Sequence, residues 1–217
     1  MDFDLTEEQR LLKESLDRLI GDRYAFEQRK TYGQAAEGWS RELWAQYAEL
    51  GLLGLPFAER YGGSAGGPVE TMIAMEAFGH ALVLEPFFAT VVLGGAFLRH
   101  GGSTEQSAAL VPRIIDGSLT LAFAQTERHS RYDLADISTT AMRDGAGWVL
   151  NGEKGVVLHG DTADKLIVTA RVDGGRRDPG GVGVFIVDGN AAGVSRRAAR
   201  PGSDSRAATR PRPCRQR

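Results

Sequence analysis

Three observations on the 217-residue chain predict an α+β fold, with an all-α helical N-terminal domain, an antiparallel β-barrel or sandwich domain, and a disordered basic C-terminal tail. Apolar residues recur at helical spacing to about residue 116, and short β-rich runs separated by turn chemistry begin at Ser118. After Val194 no aromatic or large aliphatic residue remains, so that end cannot build a core. The expected domains are 1–117, 118–197 and 198–217.

Thr6 followed by Gln9 is a capping-box signature, and Leu5, Leu11, Leu12, Leu16, Leu19 and Ile20 continue at helical spacing, predicting a helix over 6–20. Ser40 caps a second helix whose inward face is Leu43, Trp44, Tyr47 and Leu50, with Gly51 placed to end it. The segment Leu55–Gly67 is a Gly-rich break, and Pro68 suits the first turn of a helix to about Ala81, with Met72, Met75 and Phe78 read as core. Two more helices are expected at roughly 87–99 and 104–116.

From Ser118 the runs LTLAFAQ, ISTTAMR, WVLNG, GVVL, KLIVTARV and GVGVFIVD read as strands. Asp144-Gly145-Ala146-Gly147 predicts a hairpin, and Asn151-Gly152 a second turn of the positive-φ kind. Helices first and strands afterwards fit α+β segregation rather than alternating βαβ units. The glycines at 62–67 and 174–175 neither follow a strand nor open a helix at phosphate-loop spacing, so they read as loops.

A formal net charge of -2 with 25% charged residues argues against nucleic acid or an anionic membrane as partner of the bulk chain. The longest apolar stretch, Pro86–Leu98, is too short to span a bilayer. A single cysteine, Cys214, excludes an internal disulfide, and the N-terminus lacks a secretory pattern; a cytoplasmic location is expected. Four scattered histidines offer no metal-ligand spacing, so no metal site is expected. The run Ser195–Arg217 holds eight Arg and one acid. It reads either as a basic segment for an anionic surface or as an out-of-frame end of a GC-rich gene, and the break in character favours the second.

The run AFAQTE through LNGEKGVVLHG, preceded by helices, resembles the N-terminal and middle domains of the acyl-CoA dehydrogenase family over about residues 1–197. MDFDLTEEQRLL, GWSRELWAQYAELGLLGLPFAERYGG and TERHSRYDLAD together are similar to the small-subunit type of pimeloyl-CoA dehydrogenase within it. The resemblance implies FAD as cofactor and α,β-dehydrogenation of an acyl-CoA thioester, in which a carboxylate removes the α-proton and hydride leaves the β-carbon for the flavin. It implies an acyl-CoA substrate, an electron-transfer acceptor protein, and a homo- or hetero-oligomer with another such subunit. In the family the base comes from a C-terminal helical domain; the expectation is that this chain is a truncated form, inactive alone, in which no catalytic residue is assigned. The alternative is a non-catalytic scaffold subunit of a hetero-oligomeric dehydrogenase.

By the same resemblance, Phe123, Gln125 and Thr126 lie at the pyrimidine edge of the flavin, where donors stabilise negative charge as hydride arrives. The family pattern TEPxxGSD is broken here by Arg128, Arg131 and Tyr132, which become candidates for the CoA arm, a phosphate or the far carboxylate of a dicarboxylyl substrate. The family's KMWITNG strand reads Lys154–Gly160 here, placing Val156 where its Trp covers the flavin face and Leu158 where its Thr hydroxyl reaches N5. A backbone N–H or His159 must then substitute for that hydroxyl. Glu127, Glu85 and Glu153 are tempting bases, but Glu127 belongs to the motif's turn and the other two read as surface or loop acids.

Overall fold

The computed structural model describes residues 4–198 and the backbones of Ala208–Pro211 and Cys214–Gln216. The rest of the tail expected to be disordered lies outside the described residues. The chain divides after Leu119 into two compact units.

The first unit is helical. Helix α1 (Glu7–Arg23) opens with both halves of the capping box, Gln9 N donating to Thr6 Oγ1 at 3.3 Å and Thr6 N to Gln9 Oε1 at 3.0 Å. Its buried positions are Leu16 and Ile20, whereas Leu11 is exposed, so the inward face is narrower than the leucine pattern suggests. Helix α2 (Phe26–Gly33) was not anticipated: it buries no residue, so no apolar stripe marks it. Helix α3 (Arg41–Glu49) is capped by the Ser40 hydroxyl and buries Leu43, Trp44 and Tyr47, but Leu50 lies beyond its last turn and is exposed.

Pro68 opens α4 (Pro68–Ala81), which buries Ile73, Ala74, Ala77 and Phe78; Met72, expected in the core, is exposed. The apolar stretch after Pro86 forms a π-helical segment, Phe88–Gly94, that runs into α5 (Gly95–Gly101), and Ser103 caps α6 (Thr104–Ile115). Trp39, Trp44, Tyr47, Phe78 and Phe87 form a continuous aromatic spine with centroid spacings of 6.0, 6.3, 5.0 and 4.9 Å. Beside it Glu85 is buried rather than on the surface, accepting from Tyr24 Oη at 2.7 Å and Ser40 N at 3.0 Å. Burial drives its carboxyl above the ordinary range, partly offset by these bonds.

The second unit is built on β1 (Leu121–Ala124), β2 (Thr140–Asp144), β3 (Gly147–Asn151), β4 (Lys154–Gly155), β5 (Lys165–Arg171), β6 (Val182–Asp188) and β7 (Val194–Ser195), with backbone strands β8 (Ala208–Pro211) and β9 (Cys214–Gln216). One sheet runs β1-β5-β2-β3-β9 with β6 on β5, and the other runs β4-β8-β7. The sheet is mixed. Pairs β2–β3 and β5–β6 are antiparallel as expected, whereas β1 lies parallel to β5, Leu121 opposite Lys165 through Ala124 opposite Val168. Turn signals reveal only neighbours joined by hairpins; β1 and β5 are separated by forty residues, and nothing local fixes their relative direction.

Strand β6 takes one edge of β5 along its whole length, so β1 and β2 share the other, β1 beside residues 165–168 and β2 reaching only Arg171. They are laid end to end, and residues 125–139 bridge the gap. The core includes Ala122, Ala124, Ala141, Leu150, Ala163, Leu166, Val168, Ala170 and Val187, with Val157, Trp148 and Phe185 packed on it.

Asp144 and Gly147 pair across the predicted hairpin, with Gly145 at φ 60° in its first central position. Gly152 does not adopt positive φ. Its lack of a side chain serves packing instead: a Cβ there would collide with Thr139, its hydroxyl oxygen first. The run GVVL is strand only at Gly155, because Val156 turns into the left-handed region at φ 53°. Gly152→Ala is expected to destabilise the chain by about 1–3 kcal/mol through overpacking, read as a lower urea midpoint at unchanged m-value.

Candidate functional site

The gap along β5 is filled by a buried ion pair. Lys154 and Glu127, 2% and 3% exposed, meet at 2.7 Å between Nζ and Oε1. The ammonium also donates to the Gln125 carbonyl and the Thr169 hydroxyl, both at 3.1 Å, which uses its three protons. Glu127 accepts further from Thr139 Oγ1 at 2.6 Å, Thr139 N at 3.0 Å and Ser138 N at 2.8 Å. Burial raises the Glu127 carboxyl, but these donors bring it below its ordinary value; burial lowers the Lys154 ammonium, and Glu127 offsets that only in part. Removing one member of such a pair costs about 3–5 kcal/mol.

Around this pair the turn 127–133 is closed by Ser130, whose hydroxyl donates to the Glu127 carbonyl at 3.0 Å while receiving the Glu127 N–H at 3.1 Å. Asp136 anchors the outer side. It is buried and accepts from Arg176 and, at 3.1 Å, from Arg177 Nε, which holds its carboxyl at about 2. Arg171 ties the same turn to the 176–180 loop by donating to the carbonyls of Ala135, Arg176, Asp178 and Gly180. His129 Nε2 lies 2.9 Å from Ser138 Oγ and 3.4 Å from both Glu127 Oε2 and Asp136 Oδ1. An acid–histidine–serine relay needs the acid on the other ring nitrogen, so this is no nucleophile triad.

The expected cofactor residues lie around the pair. Phe123 and Gln125 are half-buried, and Thr126 is exposed at the end of β1, where its carbonyl receives the Gly155 N–H at 2.8 Å. That bond sets Thr126 beside Val156, which is 76% exposed, and Leu158 follows at 51%. A β-branched residue at positive φ costs about 1–3 kcal/mol, and such strain gathers at sites that hold ligands. His159 is also at positive φ and half-buried; burial lowers its imidazole, Asp161 opposing. Arg128, Arg131 and Tyr132 are exposed, Tyr132 at 98%, with no side-chain hydrogen bond or ion pair among the described residues.

The surface beside Thr126 therefore offers a hydroxyl with no partner among the described residues next to projecting aliphatic side chains, a set suited to the polar edge and apolar face of a flat heteroaromatic ring. Sequence reasoning missed Lys154, Asp136, Ser130 and Arg171. The only available signal was a lysine inside a β-rich run, which gives no hint of burial.

Two family models match the chain: the acyl-CoA dehydrogenase N-terminal domain over residues 6–118 and the acyl-CoA dehydrogenase middle domain over 122–211. Acyl-CoA dehydrogenase FadE12 of Mycobacterium tuberculosis is 35% identical over 157 residues, covering 71% of this chain and 40% of that protein. Among solved structures, a Tcur3481-Tcur3483 steroid ACAD variant superposes with TM-score 0.82 at 30% identity, over 96% of this chain and 56% of that one. An acyl-CoA dehydrogenase complexed with FAD from Bacillus anthracis gives 0.83 at 26% identity, over 97% and 36%. The chain spans about two fifths of the length of FadE12 and about half of benzylmalonyl-CoA dehydrogenase, another curated relative.

Asp136→Asn tests the anchor. A carboxyl held at about 2 against an ordinary 3.8 stabilises the folded chain above pH ~4, and the stability is lost as pH falls through about 2. The variant should have lower Tm at neutral pH and a shallower fall of Tm in acid than the parent. Two domain matches that run through both units, in the order helical then β-rich, make this chain a member of the acyl-CoA dehydrogenase family.

Proposed function

We propose that this chain provides the flavin-binding β-unit and helical unit of an FAD-dependent acyl-CoA dehydrogenase acting by α,β-dehydrogenation of an acyl-CoA thioester. The observation that carries the reading is the joining of Thr126 to Gly155, which presents the exposed Thr126 and the Val156 side chain on one patch. Bound there, the flavin supplies the hydride acceptor. Thr126 and the backbones of Phe123 and Gln125 would hold its polar edge, Val156 and Leu158 would line its apolar surface, and the strained Val156 backbone brings its side chain outward.

Arg128 and Arg131, exposed without an acidic partner among the described residues, are assigned to the anionic groups of the CoA thioester or to the second carboxylate of a dicarboxylyl substrate such as pimeloyl-CoA, with Tyr132 as an additional donor. No base for the α-proton is assigned within the chain. Glu127 is spent on Lys154, Asp136 on Arg176 and Arg177, and Glu85 on Tyr24 and Ser40. Electrons pass to an acceptor protein, and the chain works in the cytoplasm in an oligomer with itself or with a related subunit. No helix among the described residues is long and apolar enough to cross a membrane.

The second reading is a non-catalytic subunit that supports a catalytic partner. Leu158, which carries no hydroxyl, favours it, as does the likeness to a structure named for the pair Tcur3481-Tcur3483. The two are separated by the absorbance of the purified chain after incubation with FAD and desalting. Retained flavin bands supports the first reading, and Thr126→Val should then raise the FAD Kd by about three- to tenfold, one hydrogen bond. A colourless chain supports the second.

A further inference from the structure

We propose that Lys154 is a positioning residue of the flavin patch, acting through the Gln125 carbonyl and the β4 backbone rather than by touching the cofactor. It rests on the flavin reading above. A buried ammonium with all three protons on protein acceptors has no capacity left for a ligand, so its work is internal. Those acceptors come from three places: the end of β1 at Gln125, the turn at Glu127, and the middle of β5 at Thr169. Lys154 itself sits one residue before Gly155, whose N–H is bound to Thr126, and two before Val156. One side chain therefore ties the end of β1 to β4, which is also paired with β8, on a stretch of β5 where neither β1 nor β2 supplies ladder bonds.

Its position explains how a β-branched residue stays at positive φ while largely exposed. Val156 is held from its N-terminal side by the Lys154 anchor, the Gly155–Thr126 bond and the pairing of β4 with β8, and from its C-terminal side by Val157, packed on the core. Loss of the anchor should let β4 relax, turn the Val156 side chain and part Thr126 from Gly155. The rest of β5, paired along its other edge with β6, should not respond.

The test uses the whole 217-residue chain with two readouts, amide hydrogen exchange by mass spectrometry and FAD titration by flavin fluorescence. Lys154→Met alone strands the Glu127 charge, so the informative variant is Lys154→Met/Glu127→Gln, which removes both charges. Expected are a Tm near the parent's, exchange at least tenfold faster in segments 123–127 and 154–158 with 166–171 and 182–188 unchanged, and an FAD Kd at least tenfold higher. Thr169→Val, which removes one acceptor and keeps the pair, should move both readouts about threefold and decides the matter if the double variant does not fold.

Unchanged local exchange in the folded variants overturns the proposal, whether or not flavin binds. Faster local exchange with parental FAD affinity also overturns it, because the anchor then does not position the patch. Faster local exchange in a chain whose parent binds no FAD supports the anchor and sinks the flavin reading alone.

Discussion

A lysine ammonium inside a β-unit is costly unless every proton finds an acceptor, and Lys154 meets that condition by drawing three separate segments onto itself. The constraint comes from the sheet. Strands β1 and β2 share one edge of β5 without meeting, and the missing ladder bonds between them must be replaced. Glu127, Lys154, Thr139 and Thr169 replace them with side chains, and the 127–138 turn is folded over that cluster. Gly152 is glycine because Thr139 occupies the space its side chain would need. The sheet, the turn and the Val156 kink are thus one arrangement.

The outer half of the turn depends on charge in a different way. Asp136 gathers two arginines, and Arg171 places its guanidinium among four carbonyls, so the loop that presents Arg128, Arg131 and Tyr132 is fixed at its base while its tip remains open. The departures from the family pattern fall on that tip, where they do not disturb the anchoring residues.

In the helical unit the corresponding role is taken by aromatic packing with one buried acid. The spine from Trp39 to Phe87 joins the α3 region to α4 and the π-helical segment, and Glu85 connects Tyr24 after α1 to Ser40 at the start of α3. Burial alone would expel this carboxylate; the Tyr24 hydroxyl and the Ser40 amide retain it. The same Ser40 caps α3 through its hydroxyl, so one residue both begins a helix and receives the acid. Local and tertiary requirements agree at that point.

How much of this was legible in the sequence follows from the range of each interaction. Caps at Thr6 and Ser40, Pro68 at the start of α4, and the Gly145 hairpin act within a few residues, and the sequence by itself determined them. The helical-then-β order and the family motifs were equally plain. Helix α2 was not, because it has no buried face; nor were the exposures of Leu50 and Met72, which depend on where neighbouring helices lie. Only the tertiary structure decided that β1 runs parallel to β5, that Glu85 is interior, and that Lys154 and Glu127, twenty-seven residues apart, are partners. Strand direction and burial are properties of what lies across the core, and no local pattern of residues encodes them.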